Sequence, residues 1–395
     1  MTTPATLVPP KTLSPPKTRA QALRSYDVAD FPALTGREEE WRFTPLKRLR
    51  GLATSNGATA DGAVEPGALP KHEYGQLPAG VTISTVERSD PRVGRALTPF
   101  DRISALAYGR AERALVVSVA REALVPEPAV VKLVGTGAEA MSYGHTVVDI
   151  GELAEATIVL EHNGSVTLAD NVEVLVGNGA RLVFVTVADW AADGVQAQHI
   201  RFRLGRDAKV THVQVAIGGH LLRQYTSVDY TGRGGEAELY GLYFADANQH
   251  LEHRLLVDHS VPDCRSYVAY RGALQGEDAH TVWVGDVLIQ AEATGTDTYE
   301  VNRNLILTDG ARADSVPNLE IETGEVIGAG HASATGRFDD EQLFYLMARG
   351  IPESEARKLV VRGFFAELLG KIPVPELRDR LGATIEARLA EAGLA

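Results

Sequence analysis

His331 is the residue whose setting most invites chemistry. It stands in GEVIGAGHASATGRF, flanked by Gly328, Ala329, Gly330, Ala332 and Ser333. Side chains this small cannot enclose an imidazole, and they let another backbone or protein surface come close. A neutral imidazole offers one donor and one acceptor, or a nitrogen ligand for iron or zinc. Taken alone, the residues fit a ligand and a surface histidine in a turn equally well.

Other chemical candidates are weaker. In HLEHRLLVDH, His250, His253 and His259 suggest a metal site. On a strand, however, His253 and His259 would lie about 20 Å apart at ~3.3 Å per residue, so structural roles are expected. Cys264 is the sole cysteine, which excludes an intramolecular disulfide and any CxxC site and points to a buried thiol in a reducing cytosol. No Walker A sequence and no GxSxG elbow occur. GTGAEA, from Gly135, superficially matches a dinucleotide fingerprint, but strand-like MSYGHTVVDI follows where a helix is needed, so a plain turn is expected. The acids Asp339 and Asp340 read as helix capping rather than general acid–base groups.

These residues must be positioned by the surrounding elements. The 395 residues carry 44% hydrophobic and 23% charged side chains, an ordinary globular composition with room for a large core. A formal charge of −13 argues against a nucleic-acid partner. No apolar run reaches eighteen residues, so no membrane span is expected. Residues 1–18 are rich in Pro and Thr and read as a disordered tail without a signal peptide. Residues 19–114 read as a helical and mixed region. It holds a short helix over Arg19–Tyr26, a second near EEEWRFTPLKRLRGL, a loop over Gly51–Gly80 and a helix over Asp101–Leu115.

From 115 to 338 the pattern is strand chemistry: short β-branched runs such as ALVVSVA, VEVLVGNG and KVTHVQVAI. Several turns share one form, a Gly or Asp-Gly, then Ala, then a strand, as in GELAEATIVL, GNGARLVFV and GRDAKVTHVQV. The first spacings are roughly 26 to 29 residues, a solenoid-like period. Without helices between strands, a mainly β chain with a parallel β-helix core is expected. Residues 339–395 read as a small helical domain. Asp339 and Gln342 resemble a capping box, and Leu343, Phe344, Leu346 and Met347 form an apolar face. Pro352 opens a second helix with Ala356, Leu359, Val360, Phe364 and Leu368 on one side. Leu377, Leu381, Ile385 and Leu389 mark a third.

At this point a resemblance becomes specific. NRNLILTDGARADSVPNLEIETGEVIGAGHASATGRFDDEQLFYLMARGIPESEARKLVVRGFFAELL resembles the C-terminal signature of the SufB/SufD family of iron–sulfur cluster assembly subunits. EEEWRFTPLKRL and VDHSVPDCRSYVAYRGAL are similar to SufD-type members. The resemblance implies a right-handed β-helix and a non-catalytic, cytoplasmic subunit of a SufBCD complex. A SufB-type chain would show a cysteine within DGARADSVPNLEIE, and this one has none, so the SufD branch is implied.

His331 falls on the family histidine that faces the partner's cysteine across the SufB–SufD interface. Ala329 stands where some SufD-type chains carry a cysteine. The resemblance further implies docking of the ABC-type ATPase SufC by Gln342, Leu343, Tyr345, Arg349 and Phe364, with ATP used only through that partner. Clusters are mostly held by thiolates, so a transient cluster here needs ligands from SufB, with His331 as at most one nitrogen donor. Whether the isolated chain self-pairs stays open. The competing readings are a carbohydrate-active β-helix lyase or hydrolase, which would need clustered acids that the sequence does not show, and a purely structural partner protein.

Overall fold

The computed structural model describes residues 22–53, 70–338 and 340–391. The expected tail, Asp339 of the capping box and most of the Gly/Ala-rich loop lie outside them. Two short strands, β1 (Lys71–Tyr74) and β2 (Val81–Glu87), precede helix α1 (Arg102–Arg110) and β3 (Arg113–Val119). Then come two long bent strands, β4 (Ala129–Ile150) and β5 (Glu155–Val176). After β5 the chain alternates between two parallel sheets. One sheet contains β6 (Arg181–Trp190), β8 (Lys209–Ala216), β10 (Glu236–Ala245), β12 (Arg265–Leu274), β14 (Thr296–Ile306) and β16 (Val326–Arg337). The other contains β7 (Val195–Leu204), β9 (Leu221–Tyr230), β11 (His250–His259), β13 (His280–Ile289) and β15 (Arg312–Ile321). The first half of β5 pairs with β6 and the second with β7, so this strand turns the corner between the sheets. The result is a two-sheet β-solenoid of about 8 turns.

The repeat is visible in the register. Arg181 lies beside Lys209, Lys209 beside Glu236, Glu236 beside Arg265, and Arg265 beside Asp297. Intervals thus drift from 27 to 32 residues, longer near the C-terminal end than the sequence spacing predicts.

Each corner repeats one device. A residue in the left-handed region is followed by a small, fully buried one: Gly179 (φ 66°) then Ala180, Asp207 (φ 55°) then Ala208, Asp278 (φ 56°) then Ala279. Asp and Gly tolerate that conformation, and only a small side chain fits inside the bend. Asp263 (φ 60°) followed by Cys264 is the same corner. Cys264 is fully buried there, occupying an alanine position, and burial pushes its thiol pKa up.

The lumen between the sheets is mainly apolar, with Phe184, Phe202, Leu239, Leu255 and Trp283. Two glycines admit large rings: a Cβ on Gly241 would sit 2.0 Å from the Tyr270 ring, and one on Gly272 1.8 Å from Tyr243.

Each outer face is covered by a different end of the chain. The N-terminal segment packs Trp41, Leu49 and Leu52, with Leu106 of α1, on Tyr143, Ala169 and Leu221. After β16 come helices α2 (Asp340–Met347), α3 (Glu353–Leu369) and α4 (Pro375–Glu391). They cover the opposite sheet through Val361, Phe365, Leu377, Leu381, Ile385 and Leu389. Arg388 fixes α4 by ion pairs to Asp246 (3.0 Å) and Asp189 (3.4 Å).

Several local expectations need correction. Residues 22–26 are not helical, and the segment around Trp41 is two 3-10 turns, Glu39–Trp41 and Leu46–Leu49, rather than one helix. Pro45, which cannot donate to a preceding turn, separates them. The helix expected over Asp101–Leu115 stops at Arg110, and β3 begins at Arg113. Asp101 is its N-cap, accepting from the Ser104 N–H at 2.7 Å. GTGAEA lies inside β4 rather than in a turn, beside a register shift between Gly137 and Met141. On α3 the buried stripe is Ala356, Val361, Phe365 and Leu368, whereas Leu359 is exposed. The packed face is therefore rotated from the one the sequence suggests.

Candidate functional site

Strands β15 and β16 end the two sheets, and no strand follows either among the described residues. His331 lies on this last rung. Parallel pairing sets it beside Glu300 of β14, Ala329 beside Thr298, Ser333 beside Asn302, and Thr335 beside Asn304. Register neighbours in a parallel sheet project to the same face. On β14 that face is the lumen: Thr298, Glu300, Asn302 and Asn304 are all buried, whereas Tyr299 between them is exposed. His331 therefore tops the column that lines the lumen. Its side chain is 42% exposed because no further turn covers it.

The lumen beneath is polar, unlike the earlier turns. Asn302 donates to the Tyr243 hydroxyl (2.8 Å), which donates to Asn304 Oδ1 (2.6 Å), and Asn304 reaches Thr335 (3.3 Å). Glu300 is 1% exposed, and neither carboxyl oxygen has a hydrogen-bond partner. Burial, with the Asp286 carboxylate nearby, pushes its pKa up to about 8, against a smaller opposing pull from the Asn318 backbone. Its Oε1 lies 3.9 Å from His331 Nδ1. The sequence analysis missed Glu300. In TDTYEVNRN the polar residues alternate, and alternation by itself would place that face in solvent.

The other candidate residues are dispersed. His253 and His259 point into the lumen, stacked near Tyr243 and Tyr230, and burial lowers both pKa values to about 3. His250 faces the outer side, 3.2 Å from His280 and 3.2 Å from Glu252. Among the described residues no group of three or more His, Cys, Asp and Glu side chains could hold a metal ion.

The expected ATPase-docking residues divide in two. Leu343 is buried on the inner side of α2, and Phe364 is half-buried, its carbonyl accepting from Arg271 at 2.7 Å. Tyr345 is exposed, with the Arg349 guanidinium 4.7 Å from its ring centre. Gln342 lies on α2, its side chain outside the described residues. Phe344 and Met347 extend the exposed apolar surface of α2.

Comparison with known proteins gives this geometry its family. The SufBD core domain of the SUF system for iron–sulfur cluster assembly matches residues 133–364. This chain belongs to the SufBD family. An iron–sulfur cluster assembly SufBD family protein of Mycobacterium tuberculosis H37Rv is 55% identical over 378 residues, covering 94% of this chain and 93% of the relative. A second SufBD family protein of the same strain is 27% identical over 218 residues, covering 55% and 25%. The iron–sulfur cluster assembly protein SufD of Escherichia coli is 28% identical over 246 residues, covering 61% and 57%. The SufBD core match takes in nearly all of the solenoid after β4 begins, together with β16, α2 and most of α3. No helix among the described residues is long and apolar enough to cross a membrane.

Proposed function

We propose that this SufBD family chain is the SufD-type subunit of a cytoplasmic SufBCD scaffold. It pairs with a SufB-type paralogue through the open end of its solenoid and lends His331 to a transient iron–sulfur cluster held between the two. The observation that carries this reading is the last rung: β15 and β16 present unpaired edges with His331 between small residues, at the one place where the lumen column is left uncovered. Open strand edges are ordinarily blunted or covered, and a partner's edge would cover these. The occurrence of two SufBD family proteins in one M. tuberculosis strain, one close to this chain and one distant, supports a pair of unlike paralogues.

The cluster is cargo rather than a resident group. The single thiol, Cys264, is buried in a corner, so this chain cannot supply a thiolate at the open end, and the sulfur ligands come from the partner. The exposed apolar residues of α2, with Tyr345 and Arg349, suit an ATPase docking surface, and ATP is used by that partner. The chain itself performs no catalysis.

Co-expression with SufB-type and SufC-type partners, purification on one tag and assay of iron and acid-labile sulfide tests the proposal. His331→Ala should leave the complex assembled and cut cluster loading at least tenfold. Wild-type loading by His331→Ala, or failure of the wild-type chains to co-purify, overturns it.

A further inference from the structure

Glu300 has no evident structural partner. A buried carboxylate normally collects hydrogen bonds or a counter-charge, yet both its oxygens lack a partner. The group nearest to it on the open side is His331, at 3.9 Å between Nδ1 and Oε1. A hydrogen bond needs roughly 2.7–3.2 Å, so the two are not bonded to each other. The gap instead approaches twice a metal–ligand bond of about 2.0–2.1 Å. An ion seated between the two atoms would touch both without backbone movement.

The surroundings favour a cation. Asp286 adds a second carboxylate near Glu300, itself tied to Asn318 at 2.8 Å. Gly285 leaves the space that the Glu300 carboxyl occupies, since a Cβ there would lie 2.4 Å from Oε2. His331, half exposed, leaves the upper side accessible.

We propose that Glu300 and His331 form a two-donor landing site for a mononuclear divalent cation of the ferrous type, at the open end of the lumen. One carboxylate oxygen and one imidazole nitrogen suit Fe2+, Mn2+ or Co2+ rather than a soft thiophilic ion. Water or a partner's side chains complete the coordination. This deepens the cluster-site reading and rests on it for its biological purpose: iron itself, and not only a formed cluster, becomes a ligand of this chain.

The test is anaerobic titration of the purified full chain with Co2+, read from its visible d–d absorption. His331→Ala and Glu300→Gln should each weaken binding at least tenfold, and the double variant should do no worse than either. Glu300→Asp, which keeps the charge and shortens the reach, should bind with intermediate affinity, and it replaces Glu300→Gln if that variant folds poorly. Wild-type affinity in either Glu300 variant overturns the proposal, as does strict additivity in the double variant. Cluster loading of the co-purified complex is read in parallel. Lost loading in His331→Ala with unchanged cobalt binding refutes the cation site alone; lost cobalt binding with normal loading refutes the cluster reading alone.

Discussion

Thr44 donates its hydroxyl to Glu252 across 208 residues of sequence, at 2.7 Å in a fully buried site. This bond fastens the N-terminal segment to the outer face of β11. Glu252 also accepts from Arg254 (2.7 Å) and lies 3.5 Å from Arg223, whose guanidinium sits 3.6 Å over the Trp41 ring.

Removing the carboxylate should therefore be severe. Glu252→Ala leaves Arg223 and Arg254 buried without their counter-charge, a loss expected at roughly 3–5 kcal/mol, measurable by urea unfolding. Burial alone would raise the Glu252 pKa, but His250 and the two arginines outweigh it and hold it well below the ordinary carboxylate range. A depressed folded pKa means that this stabilisation is complete above the unfolded value, about 4.5, and falls as pH drops below it. Wild type should lose stability in that acid range more steeply than Glu252→Gln.

Glu300 should act with the opposite sign. Its folded pKa, about 8, lies above the unfolded value of 4.5, so the folded state binds the extra proton between them. Stability from this group is full below pH 4.5 and is lost as pH rises toward 8. Glu300→Gln should gain on wild type between pH 6 and 9, by on the order of 1–3 kcal/mol, in paired denaturation curves. A constant difference across that range would contradict the assignment.

Cys264 should behave as a corner residue. Cys264→Ala, matching Ala180, Ala208 and Ala279, should change stability by less than about 1 kcal/mol and leave partner capture intact. Cys264→Leu should cost roughly 1–3 kcal/mol by overpacking the bend. Native-state thiol labelling should be far slower than in urea.

Leu343 and Tyr345 should separate folding from docking. Leu343→Ala, at a buried site on α2, is expected to lower the protection of α2 in hydrogen exchange, with a cost of about 2 kcal/mol or more. Tyr345→Ala, at an exposed site, should stay within about 0.5 kcal/mol of wild type and yet reduce capture of the ATPase partner. Equal capture by wild type and Tyr345→Ala would remove the docking role.

The solenoid was legible because its signals are local. A left-handed turn residue, a small corner residue and a β-branched run recur at each turn, and each acts within a few positions of sequence. The four leucine and isoleucine positions of α4, spaced at helical intervals, were read for the same reason, and all four are buried. The N-terminal segment was misread because its conformation is set by what it packs on. Trp41 and Thr44 gain their partners from Arg223 and Glu252, far along the chain, and Pro45 breaks the helix that local periodicity suggested.

The sequence by itself determined the repeat, the single thiol, the bare setting of His331 and the family signature around it. Tertiary structure decided which way each strand faces, and thereby the nature of the candidate site. Alternating polar residues in β14 look solvent-facing when read along the chain. Stacking in register turns them inward, because the face of a strand is fixed by the rungs above and below it. That stacking buries Glu300 beneath His331 and leaves His331 open where the last rung has no successor.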